Sequence, residues 1–182
     1  NAPNSLPLTG NRHLRLEQPD PRDEQFFRWW ARAYRDRRRR DLDALTGLVN
    51  RSTWERRLRE RVARRGSAWI ALADVDHFKR FNDRYGHDVG DDVLEAVGTF
   101  LRDGLTEGDI AVRYGGEEFL VVTVDEPSAP ERVESLRSAL GNQTLFENQP
   151  EPISLSMGLA RYEGGGEAPL IRTLERADRA LY

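Results

Sequence analysis

Apolar positions along this chain recur in two periods, and the switches between them predict the elements. From Arg22 to Arg40, Phe27, Trp30 and Tyr34 stand at i, i+3 and i+7, with Phe26 and Trp29 widening the stripe, so one amphipathic helix is predicted. Trp54, Leu58 and Val62 predict a second, entered at Ser52 as an N-cap and closed near Gly66. Ser67 to Ala73 is a near-continuous apolar run with Trp69, Ile70 and Leu72, the pattern of a central strand covered on both faces. Asp74 closes that strand. Phe78 to Tyr85 reads as a short helix, Gly86 and Gly90 as a turn, and Asp92 to Leu101 as a helix with Val93, Val97, Phe100 and Leu101 inward. Ile110 to Tyr114 and Glu118 to Val124 flank Gly115-Gly116 with the spacing of a two-residue hairpin. Pro130 to Leu140 is a further amphipathic helix, Ile153 to Leu159 alternates as a strand, and Leu170, Leu174, Ala177 and Leu181 mark a last helix.

The resulting order, α, β, α, α, β, β, α, β, α, places an antiparallel hairpin among helix-linked strands. That predicts an α/β (α+β) domain with a mixed, mainly antiparallel central sheet flanked by helices, unlike a doubly wound nucleotide fold. A length of 182 residues suits one such domain plus an extension. Residues 1–21, with four prolines and no apolar period, read as a disordered or linker tail. Residues 22–41 read as an amphipathic linker or signalling helix, and residues 42–182 as the domain proper.

Composition narrows the chemistry. There is no cysteine, which removes disulfides, thiolate catalysis and cysteine-based zinc sites. No stretch reaches the roughly 18 apolar residues of a membrane span and the start has no signal-peptide pattern, so a soluble cytoplasmic fragment without membrane contact is expected. Residues 1–41 hold 10 arginines against 6 acids, whereas residues 42–182 hold 18 basic against 25 acidic residues, a balance that argues against general nucleic-acid binding. The three histidines, His13, His77 and His87, share no ligand spacing with the acids, and no Gly-x-Ser-x-Gly elbow is present.

The most informative run is Arg113-Tyr114-Gly115-Gly116-Glu117-Glu118-Phe119, where two glycines lead into two adjacent carboxylates. Glycines at a turn permit positive φ and close approach to a ligand, and carboxylates held there clamp a hard cation against phosphate oxygens. About 40 residues upstream lies the matching half, Asp74-Val75-Asp76-His77-Phe78-Lys79, in which an apolar strand ends in acids and then a lysine. Of the 28 basic residues only Lys79 is a lysine, and a compact ammonium facing a phosphate is one reason to resist arginine there. Together the two segments predict a metal-dependent nucleotide site. Taken singly, Asp74 reads equally as a helix cap, Asn82 as a cap and Asp91 as a surface acid.

Over residues 41–182 the chain resembles the GGDEF domains, the diguanylate cyclases of bacterial second-messenger signalling. The resemblance rests on Asp43-Ala44-Leu45-Thr46-Gly47-Leu48 with Asn50-Arg51, on Asp74 to Lys79 with Asn82-Asp83, on Tyr85-Gly86-His87 with Gly90-Asp91, on the Arg113 to Phe119 run, and on Ser156-Met157-Gly158 with Ala177 to Tyr182. It implies a fold similar to the adenylyl cyclase catalytic domain and condensation of two GTP into cyclic di-GMP with release of pyrophosphate, in a homodimer. It further implies that Asp74, Glu117 and the Val75 carbonyl hold Mg²⁺, with Mn²⁺ as an alternative. Phe78 and Lys79 would then meet the phosphates, Asp76 orient that segment, and Asn82 and Asp91 read guanine. Glu118 would assist the metal or, in place of Glu117, deprotonate the 3′-hydroxyl. An upstream sensory or receiver domain is expected to act through the helix before Asp43.

Two departures qualify the resemblance. Many relatives carry Arg-x-x-Asp before the glycine pair, a product-binding inhibitory site. Here those positions are Thr106-Glu107-Gly108-Asp109, so that site is expected to be absent or weak and product inhibition to fall at the active site. The sequence also stops at Tyr182, before the basic residues that contact the triphosphate in relatives. The rival expectation is a catalytically weak or inactive GGDEF module that binds GTP or cyclic di-GMP as a sensor.

Overall fold

A computed structural model describes residues 5–8, 12–15, 25, 26, 28, 29, 31, 32, 40–124 and 127–181. Residues 1–38 and 39–182 form two compact units.

In the first unit β1 (Ser5–Leu8) pairs antiparallel with β2 (Arg12–Arg15), placing Leu6 opposite Leu14. Residues 1–21, read from the sequence as a disordered or linker tail, thus contain a short antiparallel ladder. Residues 25, 26, 28, 29, 31 and 32 are helical, and Phe26 and Trp29 stand exposed with ring centroids 6.2 Å apart. The expected stripe of Phe27, Trp30 and Tyr34 lies outside the described residues.

The second unit is built on a five-stranded sheet in the order β3-β5-β6-β4-β7. The strands are β3 (Val49–Asn50), β4 (Ala68–Val75), β5 (Ile110–Arg113), β6 (Glu118–Val124) and β7 (Leu155–Tyr162). Only the β3–β5 pair is parallel; β5–β6, β6–β4 and β4–β7 run antiparallel. The mixed, mainly antiparallel sheet expected from the hairpin is thus observed, with the two-residue strand β3 added at its edge. The helices are α1 (Trp54–Arg65), α2 (Phe78–Tyr85), α3 (His87–Gly104), α4 (Ala129–Gly141) and α5 (Glu167–Leu181).

The strand period of two sorts the core into layers. Ile70, Leu72, Leu120 and Val122 point to the face covered by Trp54 and Leu58 of α1 and by Leu170 and Ala177 of α5. Ala71, Ala73, Val75, Phe119 and Val121 point to the other, against Phe78 and Phe81 of α2, Val93, Val97 and Leu101 of α3, and Val133, Leu136 and Leu140 of α4. β4 is covered on both faces, as its unbroken apolar run predicts. Each fully buried Leu, Ile or Val of these layers is worth about 1.5–3 kcal/mol relative to exposure.

Two local expectations change. The residue preceding α1 is Thr53, not Ser52. The Ser52 hydroxyl turns back and donates to Asn50 Oδ1 at 2.7 Å, where the Thr53 hydroxyl also donates at 2.8 Å, so Asn50 organises this turn. The last strand is displaced to Leu155–Tyr162, because pairing with β4 extends to Ala68↔Tyr162 and leaves Ile153 in the preceding loop.

Gly158 joins its strand motif to the C-terminal helix by close packing. A Cβ there would lie 1.9 Å from the Ala177 carbonyl oxygen and 2.5 Å from the Leu181 nitrogen, so α5 rests its backbone directly on β7. Gly158→Val is expected to lower stability by about 3 kcal/mol, as for an overpacked core, and the melting temperature by roughly 5–10 °C. Thermal unfolding followed by circular dichroism measures this, and an unchanged midpoint would contradict the packing described.

Candidate active site

The functional side chains gather where β4 ends. Asp74 is the penultimate residue of β4, directly opposite Glu118 of β6 on one side and Ser156 of β7 on the other. Like charges directly opposite on antiparallel strands repel. The hairpin adds a third acid: the Val75 N–H donates to the Glu117 carbonyl at 3.3 Å, which fastens Glu117 beside the strand end. Asp74 and Glu117 then line one cavity of about 380 Å³, together with Val75, Phe78 and Lys79, and with Arg80 and Asp83 at its wall.

Burial pushes the Asp74 carboxyl above its ordinary value of 3.8, and the charges of Glu117, Glu118 and Asp76 push it the same way. Among the described residues, no hydrogen bond or ion pair reaches the side chain of Asp74, Glu117, Glu118 or Lys79. Lys79 and Arg80 border the same cavity without pairing to these acids, and carboxylates left so can accept a cation from outside. Among the described residues no three His, Cys, Asp or Glu side chains converge as a full metal cage.

Chain direction at this point is set by His77. It takes the left-handed conformation, φ 60° and ψ 22°, which histidine tolerates better than most residues, and turns β4 into α2. The amino end of α2, with Phe78 buried and Lys79 exposed, therefore borders the cavity holding the acids, and free N–H groups at a helix start favour phosphate. Asp76 faces elsewhere: its two oxygens accept the hydroxyls of Ser154, at 2.5 Å, and Ser156, at 2.6 Å, while its N–H donates to the Ser154 carbonyl at 3.0 Å. It ties the β4–α2 turn to β7.

Asn82 and Asp91 do not line the cavity of the acids. Asn82, in α2, packs against α3: a Cβ at Gly90 would lie 1.8 Å from its Oδ1, so only glycine admits the amide there. That Oδ1 is buried with no protein partner. Asp91, the next residue, is exposed. The pair thus brackets the α2–α3 contact, beside the cavity and apart from it.

The hairpin differs from the two-residue turn expected. Tyr114 N–H and Gly115 N–H both donate to the Glu118 carbonyl, at 2.8 and 3.1 Å, which leaves Gly115, Gly116 and Glu117 as the loop. Neither glycine is among those with positive φ. Gly115 is required for space instead: a Cβ there would lie 2.2 Å from Glu118 Oε2. Nothing lies within 4 Å of a Cβ at Gly116, which leaves that side of the loop open.

Sequence reasoning quoted the Asp43 to Arg51 segment as a motif and gave it no task; the structure supplies one. Arg113 donates through NH1 to Asp43 Oδ1 at 3.1 Å, and through Nε and NH2 to the Gly116 carbonyl at 3.3 and 3.0 Å. Asp43 also accepts the Thr46 N–H at 2.9 Å and its hydroxyl at 2.8 Å. Burial works to raise the Asp43 carboxyl, but these bonds from Thr46 and Arg113 outweigh it and hold the carboxyl below its ordinary value. Tyr114 is fixed likewise, edge-on to Trp54 at 5.9 Å and beneath the Arg51 guanidinium at 4.7 Å. In the sequence Asp43 and Arg113 simply stand in two separate motifs 70 residues apart. Nothing in spacing shows that they touch.

Thr106 and Asp109 form a closed turn. The Thr106 N–H and hydroxyl donate to Asp109 Oδ2 at 3.1 and 2.8 Å, and Arg132 of α4 pairs with the same carboxylate, whose side chain is fully buried.

This fold and site define the GGDEF class, and comparison with known proteins agrees. The family model for the diguanylate cyclase GGDEF domain matches residues 40–182, so the chain belongs to the GGDEF family. It is 41% identical over 157 residues to diguanylate cyclase DgcP of Pseudomonas aeruginosa, covering 81% of this chain and 23% of that protein. It is 36% identical over 146 residues to diguanylate cyclase DgcS of Shewanella oneidensis, covering 78% and 48%. The chain thus spans from about a quarter to about half of the length of these relatives. Among solved structures, the coiled coil and GGDEF domain of DgcB from Caulobacter crescentus, in complex with c-di-GMP, superposes with a TM-score of 0.75 at 28% identity over 88% of each chain.

Two outcomes test this geometry. A carboxyl raised in the fold binds its proton more tightly there than in the unfolded chain, so its contribution to stability is greatest at low pH and is lost as pH rises above about 4. Asp74→Asn is therefore expected to raise the melting temperature of the metal-free protein at pH 7 and to abolish the stabilisation that added MgCl₂ gives the wild type, both read by thermal unfolding. Arg113→Ala leaves the Asp43 carboxylate to Thr46 alone and removes the side-chain donor to the Gly116 carbonyl, at a cost of about 1–3 kcal/mol. Its Mg²⁺-dependent stabilisation should shrink as the Glu117 loop loosens, and an undiminished Mg²⁺ response would show that Arg113 does not position the loop.

Proposed function

We propose that this chain is a diguanylate cyclase domain that condenses two GTP into cyclic di-GMP and two pyrophosphates, with one GTP held by each of two copies. The observation that carries the reading is the uncompensated trio of Asp74, Glu117 and Glu118 beside Lys79 and the amino end of α2. The names of DgcP and DgcS, and the c-di-GMP held by DgcB, support the same activity.

Asp74, Glu117 and the Val75 carbonyl are the groups that would hold Mg²⁺. Bound there, the ion supplies positive charge to phosphate oxygens and to the leaving pyrophosphate. The chain's own residues do the rest. Lys79 and the first N–H groups of α2 receive the triphosphate, whose in-line displacement depends on positioning and on donors aimed where charge builds. Asp76, bound to Ser156 of β7 and to Ser154 just before it, keeps that helix start in place. Asn82 and Asp91 read guanine: a carboxylate accepts from N1–H and the 2-amino group together, a donor pair that adenine lacks. Glu118, folded over Gly115, serves as base for the 3′-hydroxyl or as support for the metal.

The attacking hydroxyl and the phosphorus come from different subunits, so turnover requires two sites to face one another within roughly 3.5 Å. Arg113 links the Asp43 turn, where the chain arrives from upstream, to the catalytic loop, a route by which a sensory or receiver domain would set activity. Asp109 is sealed by Thr106 and Arg132, which supports the absence of the Arg-x-x-Asp inhibitory site and leaves product inhibition to the substrate pocket. A GTP substrate implies a cytoplasmic location. Among the described residues no helix is long and apolar enough to cross a membrane.

Incubation with GTP and Mg²⁺, followed by chromatography, tests the proposal. Wild type is expected to form cyclic di-GMP, Glu117→Ala to lose at least about a hundredfold in rate, and Asp91→Ala to raise KM for GTP while weakening rejection of ATP. GTP binding without turnover by the wild type, paired copies included, would favour the sensor reading instead.

A further inference from the structure

A groove of about 760 Å³ runs along α3, apart from the candidate active site. Asp92, Glu95, Ala96, Thr99, Phe100 and Asp103 form one wall at i, i+3, i+4, i+7, i+8 and i+11, a single stripe three turns and about 16 Å long. Leu145 and Phe146 stand opposite. The centre of the groove is apolar, and its rim carries three carboxylates and no lysine or arginine. Among the described residues Asp92 and Glu95 have no ion pair, and Asp103 has only the exposed Arg102 at 3.1 Å, a pair of little strength.

The second wall is already braced. Gln149 accepts the Leu145 N–H at 2.7 Å, donates to the Glu151 carbonyl at 2.8 Å, and its own N–H donates to the Phe146 carbonyl at 3.3 Å. A groove held open by its own hydrogen bonds binds without first being ordered.

We propose that this groove receives a basic amphipathic helix from a partner protein. A stripe of three turns is the length over which a second helix lies alongside the first, with apolar anchors at i, i+3/i+4 and i+7 entering between Phe100 and Phe146. Acids at both ends of the stripe select arginine or lysine flanking those anchors. The domain of a second copy is a poor occupant, because residues 42–182 carry 25 acidic against 18 basic residues and acid would meet acid. The occupied helix is the one that carries Gly90 and Asp91 near its start, so a docked partner would bear on the α2–α3 contact where Asn82 sits.

The test is made on the whole chain without nucleotide, so its result is independent of the cyclase proposal. A fluorescent synthetic helix of about 15 residues, with leucine and phenylalanine on one face and arginines at its flanks, is titrated by anisotropy. Micromolar binding that weakens with salt is expected, with at least about a tenfold loss for Ala96→Arg, which plugs the groove, and for Glu95→Arg with Asp103→Arg, which reverses its rim at exposed positions. The same peptide with glutamate for arginine should fail on wild type. No binding of the basic peptide, or equal binding by variants with unchanged melting temperature, overturns the proposal. So does light scattering that shows wild type associating with itself while Ala96→Arg does not.

Discussion

Repulsion among acids at the end of β4 is the constraint around which this domain is arranged. Asp74 and Glu118 are opposed across two antiparallel strands, and Glu117 is drawn alongside by the Val75 N–H. Left to electrostatics these groups would separate or take up protons, and the raised Asp74 carboxyl records that tendency. They stay because each is mounted on backbone that packing holds still: β4 buried on both faces, β6 in register with it, and a hairpin tied down at several points. Structural stability is thus given up locally where the acids gather, as is common where charge is kept for a purpose.

The supports are of two kinds. Apolar supports lie beneath the sheet, where Phe78 and Phe81 pack with Val93 and Val97 and so fix α2 and α3 relative to the strand that feeds them. Polar supports lie around the hairpin, where one guanidinium, Arg113, joins a carboxylate from the Asp43 turn to a carbonyl of the catalytic loop. Partly buried charge-assisted bonds of this kind are directional and costly to leave unmade. Asp43 and Gly116 are thus joined through a single side chain.

Much of the site was legible beforehand because its residues sit in contiguous runs whose local structure is strongly determined. The apolar stretch ending at Asp74 had to be a covered strand with its acid at the carboxyl end, and the paired glycines before Glu117 had to lie in a turn. The turn itself was misjudged by one residue, since the Glu118 carbonyl receives two N–H groups and enlarges the loop. The sequence assigned the glycines backbone freedom, whereas Gly115 is needed for room beside a carboxylate. The last strand was misplaced for a similar reason: alternation begins at Ile153, but pairing with β4 begins at Leu155.

By itself the sequence determined the order of elements, the both-sided burial of β4, the hairpin bearing Glu117 and the family to which the chain belongs, because period, turn chemistry and contiguous motifs are local properties. Only tertiary structure decided that Asp43 grips Arg113, that Asp76 is engaged by Ser154 and Ser156, that Asp109 is sealed under Arg132, and that Asn82 presses on Gly90. Those contacts join residues far apart along the chain, and which side chains meet across a sheet or between helices follows from register and packing, which periodicity alone does not specify.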